Sequence, residues 1–182
     1  MSQNHRFCFI GGLAVQRWGE PRLTIDADVT LITRFENESA IVSSLTEKFR
    51  LRRPDAAEFA LKARVALLFA SNDVPIDIAL GGLPFEERTI TRASPWKISK
   101  KDSLITCCAE DLIVHKAFAN RELDWLDLRG VLRRQGQKLN VDLIFEELRP
   151  LLQLKEAPEI EDRLRKMMEK EKLENCANAS SS

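Results

Sequence analysis

The chain has 182 residues, 28 basic and 28 acidic, with 44% apolar and 31% charged side chains, the profile of one or two globular domains able to bury a core. A formal net charge of zero excludes a binder that holds nucleic acid by bulk positive charge, and equally an acidic disordered tail, so any nucleic-acid contact has to be local. No apolar run approaches the roughly 18 to 20 residues needed to cross a bilayer, and residues 1–6 lack the features of a secretion signal, so a cytoplasmic protein without membrane partners is expected.

Residues 6–10 form an apolar, β-prone run that stops at Gly11-Gly12. Residues 13–18 read as a short helix with Leu13, Ala14 and Trp18 at helical spacing, ended by Gly19 and Pro21. Residues 23–32 read as a half-buried strand beside the first, with Ile25, Ala27 and Val29 turned inward and Asp26 and Asp28 on the polar face. The spacing of Ile41, Val42, Leu45 and Phe49 predicts an amphipathic helix over 37–49. Residues 58–71 and 74–80 are predicted as a hairpin turning at Asn72-Asp73, residues 88–93 as a strand, and the region of Pro95 as a loop. From Ala109 the chain reads as helix, with breaks expected near 130–136 and 150–158. Residues 159–172 carry five acidic and five basic side chains, the mark of a solvated helix face. Residues 175–182 are expected to fray.

The expected class is α+β: a small mixed β-sheet flanked by helices over residues 1–102, a helical C-terminal subdomain over 103–176, and a disordered tail over 177–182. Cys8, Cys107, Cys108 and Cys176 include no C-x-x-C pair, and His5 and His115 are the only histidines. Structural zinc, disulfides and histidine-driven catalysis are therefore not expected.

The chemistry-bearing candidates are aspartates. In a strand, Asp26 and Asp28 would project from one face, where two like charges favour a divalent cation between them. The alternative is a polar outer face. Asp77, between Ile76 and Ile78, is out of character for an apolar strand. If that strand lies beside the D-x-D strand, three carboxylates converge in the manner that holds two Mg²⁺ ions in phosphoryl-type transfer. The alternative is that Asp77 pairs with an arginine. Gly11-Gly12 at a strand–helix junction would let a phosphate chain approach backbone N–H groups, or is simply a tight turn. Arg22 and Arg64 are further candidates for phosphate contact, and Lys116, Asn120, Asp124 and Asp127 share one polar helix stripe. Two basic clusters, Lys48/Arg50/Arg52/Arg53 and Arg88/Arg92/Lys97/Lys100/Lys101, offer local contacts for an RNA backbone or a solvated surface.

Strand, Gly-Gly, D-x-D and a later Asp together resemble the nucleotidyltransferase fold of the DNA polymerase β superfamily. The run Phe9-Ile-Gly11-Gly12-Leu-Ala14, with Trp18-Gly19, Arg22, Thr24, Asp26 and Asp28, is similar to the opening of the AbiEii-type nucleotidyltransferase toxins. Asp77 in its Pro-Ile-Asp-Ile segment looks like their third carboxylate. Residues 109–116 with Arg121 and Asp124 to Asp127 look like their helical segment, so the likeness spans residues 7 to about 135 in the same order.

The resemblance implies that Asp26, Asp28 and Asp77 bind two Mg²⁺ ions, with Asp77 also helping to activate an acceptor hydroxyl. It implies that Gly11, Gly12, Arg22, Thr24, Arg64, Asp124 and Asp127 serve the nucleotide triphosphate, with Lys116 facing it. The implied reaction moves NMP from an NTP to a hydroxyl, which in toxin relatives is a tRNA 3′ end, and the implied protein partner is a cognate antitoxin. Two departures are Gly12, where many relatives have Ser, and a first strand without the helix that commonly precedes it. Alternative readings are a non-catalytic nucleotide- or partner-binding module on the same fold, a nucleotidyltransferase with a small-molecule acceptor, and a purely structural domain.

Overall fold

The computed structural model describes residues 6–33 and 37–179, with side chains through residue 172. His5, the Cys176 side chain and residues 180–182 of the expected tail lie outside the described parts. Two compact units are present, one comprising residues 1–13 and 23–107, the other residues 14–22 and 108–182. No described helix is long and apolar enough to cross a membrane.

The first unit holds a seven-stranded mixed sheet with flanking helices, an α+β arrangement. Its elements are β1 (Phe7–Phe9), α1 (Gly11–Trp18), which leads into the second unit, β2 (Ala27–Ile32), α2 (Glu38–Lys48), β3 (Arg50–Leu51) and α3 (Ala56–Ala63). They continue with β4 (Val65–Phe69), β5 (Pro75–Gly81), α4 (Pro84–Arg92), β6 (Ser94–Lys97) and β7 (Ser103–Thr106). The strand order is β3-β4-β5-β2-β1-β7-β6; β2/β5 and β1/β7 are parallel and the other pairs antiparallel.

Period-two alternation decides the faces of the central strands. Val29 and Leu31 of β2, Ala66 and Leu68 of β4 and Ile78 and Leu80 of β5 form one buried cluster with Val42 of α2 and Ala60 of α3. Removal of a side chain such as Leu68 or Leu80 from water contributes about 2 kcal/mol.

Several expectations are corrected. Residues 58–63 are helical because Ala56 and Ala60, four apart among good helix formers, present one small apolar stripe to the core. The hairpin proper is β4/β5, closing through Asp73, whose φ is +63°. Residues 88–92 belong to α4, started by Pro84 and by the Glu86 carboxylate, which accepts from the N–H groups of Gly82 and Leu83 at 2.7 and 2.8 Å. Pro95 lies in β6, at the sheet edge, where a missing N–H is tolerated. Because β7 adds to the sheet, the first unit runs to Cys107 rather than 102. β2 begins only at Ala27, and Ile25, expected in the core, is 74% exposed.

The second unit is helical: α5 (Ala109–Ala119), α6 (Glu122–Gln135), a 3₁₀ turn (Gly136–Lys138), α7 (Val141–Lys155) and α8 (Glu159–Ala179). Leu112, Leu128, Ile144, Leu148, Ile160 and Leu164 fill its interior, joined by Val15 from the 14–22 segment. The breaks expected near 130–136 and 150–158 are found at 136–140 and 156–158, while Gly130 and Pro150 themselves lie inside helices. A Cβ on Gly130 would come within 2.9 Å of the Glu20 backbone nitrogen, so glycine there permits close approach rather than ending α6. α7 continues through Pro150, which sits well past its first turn. Residues 177–179, expected in the tail, lie in α8.

Candidate active site

The aspartates come together in the first unit. In the parallel β2/β5 pair, Asp28 and Asp77 are direct register partners, so both carboxylates leave the same face of the sheet, opposite the Val29/Ile78 core pair. Asp26 precedes β2 at a bend, where the Thr24 hydroxyl hydrogen-bonds the Asp26 carboxylate at 3.0 Å and its carbonyl oxygen at 3.3 Å. Burial pushes the Asp77 carboxyl above its usual range; the nearby Asp26 charge adds to this, while Arg52 opposes it.

The two glycines fit these acids closely. Gly11 has φ +56°, and a Cβ there would fall 1.8 Å from Asp28 Oδ2. The Ile10 N–H donates to the Asp28 carbonyl at 2.9 Å, fixing the strand–helix junction against β2. A Cβ on Gly12 would meet Thr24 Oγ1 at 2.3 Å. Gly11 and Gly12 thus form the first turn of α1, with the Asp28 carboxylate and the Thr24 hydroxyl resting on their bare backbone. The Thr24 contact to Asp26 was not foreseen, since nothing in the spacing separates this threonine from one exposed on a strand.

The residues here do not fit a metal ion as they stand. Carboxylates are the donor type that Mg²⁺ takes, yet among the described residues no group of three or more His, Cys, Asp or Glu side chains is arranged to hold a metal. Asp77 Oδ1 instead receives Arg52 Nη1 in a salt bridge, the alternative weighed for this residue. The Arg52 backbone N–H donates to the Leu67 carbonyl at 3.2 Å, and Leu67 is the β4 register partner of Asp77. Arg52, just after β3, therefore reaches across β4 to Asp77 on β5. Sequence reading placed Arg52 in a basic cluster without finding this partner, because β3 has only two residues and no periodicity to align.

No protein-family model and no curated protein matches the sequence. Among solved structures, the chain is similar to an antigenic nucleotidyltransferase-like protein from Paracoccidioides brasiliensis, with 12% identity and a TM-score of 0.45, covering 90% of this chain and 86% of that one.

The remaining candidates are engaged elsewhere. The basic cluster of the β3 region, read as a contact for RNA or a solvated surface, is largely neutralised: Arg50 pairs with Asp73, Arg52 with Asp77 and Arg53 with Asp55. Arg64 is not in a strand; it is the left-handed residue after α3, and its guanidinium donates to Glu38 and the Leu80 carbonyl. In the second unit, Lys116 Nζ is 2.8 Å from both Asp124 Oδ1 and Asp127 Oδ2. Arg121 grips Asp124 at 2.7 Å, and Arg22 holds Asp127 through two bonds of 2.7 and 2.9 Å. Burial alone would raise both carboxyls, but bonds from Arg121 and Lys116 to Asp124, and from Arg22 and Lys116 to Asp127, leave both below the usual range. Lys116, Asp124 and Asp127 of the polar stripe therefore form the buried centre of a network that the part-exposed Arg22 and the exposed Arg121 complete.

The thiols Cys8, Cys107 and Cys108 form no disulfide. Cys108 Sγ donates to Asp111 Oδ2 at 3.0 Å, and burial pushes its pKa far up, which leaves it unreactive.

Proposed function

We propose that the chain is a nucleotidyltransferase that moves NMP from an NTP to a hydroxyl acceptor. The supporting observation is the Asp28/Asp77 register pair, one member lying against Gly11 at the start of a helix and Asp26 close enough to act on the other. In the proposed reaction, the acceptor oxygen bonds to the α-phosphorus, the α–β phosphoanhydride bond breaks and pyrophosphate leaves. Asp77, with its raised affinity for protons, takes the hydroxyl proton and passes it to solvent. The α1 N-terminus at Gly11-Gly12, whose bare backbone seats the Asp28 carboxylate and the Thr24 hydroxyl, borders the proposed phosphate position, and Thr24 orients Asp26. Divalent-ion dependence through Asp26, Asp28 and Asp77 extends this reading on the sequence resemblance alone, since Arg52 takes Asp77 and no metal cluster is arranged among the described residues. A tRNA 3′ end as acceptor and a toxin role beside an antitoxin extend the proposal on the sequence resemblance alone.

A second reading, a nucleotide- or partner-binding module without catalysis, is favoured by the Arg52–Asp77 salt bridge and the absence of a ready metal cluster among the described residues. Incubation with each α-labelled NTP, Mg²⁺ and total tRNA separates the two. Transfer by the wild type that falls at least about a hundredfold in Asp28→Asn is expected for the enzyme, taking lost electrostatic stabilisation as the guide. Transfer unaffected by Asp28→Asn and Asp26→Ala would refute the proposed site, and nucleotide binding without transfer would support the module.

A further inference from the structure

We propose that the β6–β7 hairpin docks duplex RNA, gripping its phosphodiester backbone and 2′-hydroxyls at the end of the sheet remote from the carboxylates. Docking of this kind stands whether or not the chain transfers nucleotides.

The sheet gathers a basic cluster whose members are scattered along the sequence. Lys97 is the register partner of Ser103, and because Phe9 lies opposite both Thr106 and Val29, these two residues are level with Arg6 and Ile32. The Ile32 N–H indeed donates to the Arg6 carbonyl at 3.0 Å. Asp28 is four residues along β2 and three strands across from Lys97, or about 13 Å in one direction and about 14 Å in the other. The last turn of α4, the helix that carries Arg88 and Arg92, is drawn to the same end, where Arg6 donates to the Thr91 hydroxyl at 3.1 Å.

Lys97, Lys100 and Lys101 are exposed, and among the described residues their ammonium groups enter no ion pair. The one acid of residues 97–103, Asp102, is engaged by the Ser99 hydroxyl, which donates to its carboxylate at 2.7 Å. The Lys101 and Asp102 N–H groups donate to the Ser99 oxygen at 3.1 and 3.0 Å, which fixes the turn. The arginines of the β3 region, by contrast, each have a carboxylate. In a chain of zero net charge the hairpin is thus a local excess of positive charge, the footprint of a polyanion.

Lysines act as point charges on flexible stems and suit phosphates. Residues 97–103 hold no Arg, Asn or Gln, the planar side chains that read base edges bidentately, but they do hold the exposed Ser103. Backbone and hydroxyl contact without base readout is how an A-form helix is recognised, across a wide, shallow minor groove lined by 2′-hydroxyls. A bilayer surface takes cations beside a face of several apolar side chains, whereas this turn has Ile98 alone, 51% exposed.

The test is fluorescence anisotropy of a labelled RNA duplex of about 20 base pairs with the full chain, without metal or nucleotide, from about 50 to about 200 mM NaCl. Wild type is compared with Lys97→Gln/Lys100→Gln/Lys101→Gln and with Lys62→Gln/Lys138→Gln/Lys166→Gln, which removes three exposed charges elsewhere; circular dichroism establishes folding. Wild-type binding is expected to weaken at least about tenfold in the hairpin variant, with the slope of log affinity against log salt reduced by about two to three, and to change less than about twofold in the control. A DNA duplex of the same sequence is expected to bind at least about threefold less tightly, for want of 2′-hydroxyls. Absence of wild-type binding, or equal affinities in the two variants, would overturn the hairpin as a docking element. Equal affinity for the RNA and DNA duplexes would overturn RNA as its partner, as would binding to vesicles of about 30% phosphatidylserine in place of RNA.

Discussion

Replacing Lys116 with methionine tests whether its ammonium is a structural counter-ion. The side chain is 7% exposed and makes two 2.8 Å contacts to carboxylates that are 1% and 3% exposed. Hydrogen bonds to charged groups are worth about 1.5–3 kcal/mol each, and breaking a buried pair from one side costs about 3–5 kcal/mol. Methionine keeps most of the volume, so no cavity term adds. Arg22 retains its hold on Asp127, whereas Arg121, 75% exposed, compensates Asp124 only weakly. A net loss of about 3–4 kcal/mol is expected at neutral pH.

At about 2 kcal/mol per molar urea, this lowers the unfolding midpoint by about 1.5–2 M, read by tryptophan fluorescence. The sign with pH follows from the lowered carboxyls. The stability they contribute is present above their unfolded pKa near 4 and is lost as pH falls through the lower folded values. Lys116→Met removes a cause of that lowering, so its deficit should be largest at pH 7 and narrow in acid. A midpoint within about 0.3 M of wild type at pH 7, or a deficit independent of pH, would refute the counter-ion role and return Lys116 to the nucleotide-facing role suggested by the sequence resemblance.

Gly11→Ala places a methyl in the space of the Asp28 carboxylate at a φ of +56°, and should lose about 2 kcal/mol or more of stability and abolish nucleotidyl transfer; retention of both would show that Asp28 readily moves aside. His115 is half-buried with its Nε2 shielded from solvent, and burial lowers its pKa to about 4, with Asp111 opposing the lowering and Lys116 adding to it. The unfolded chain therefore takes up the proton first: stability is fully present above about pH 6.5 and falls by about 1.4 kcal/mol per pH unit, to a total near 3 kcal/mol by pH 4. His115→Gln should flatten urea midpoints across that window, and an unchanged slope would place the acid sensitivity elsewhere.

The α+β class, the β4/β5 turn and the shared face of Asp28 and Asp77 were legible because alternation and spacing are local signals that the sheet merely extends. Where the reading failed, tertiary contacts overrode local cues. Residues 58–63 look apolar enough for a strand, but Ala56 and Ala60 pack as a helix on the sheet. Gly130 opens the stretch where a break is expected, but Glu20 lies against it and α6 runs on to Gln135 before the break comes. Asp26 parts from the strand geometry because Thr24 bonds it into a bend. The partners of Asp77 and Lys116 are invisible to spacing alone: Arg52 lies twenty-five residues away, just past a two-residue strand and on the far side of β4, and Arg22, which completes the Lys116 network, lies one hundred and five residues from Asp127.

The sheet ends in β3 on one side and β6 on the other. The former is two residues long and carries the charged Arg50, while the latter has Pro95 where an amide donor would stand. Neither rim offers an incoming polypeptide a continuous row of backbone donors and acceptors, so the molecule is poorly suited to templating its own aggregation through strand addition, even when concentrated.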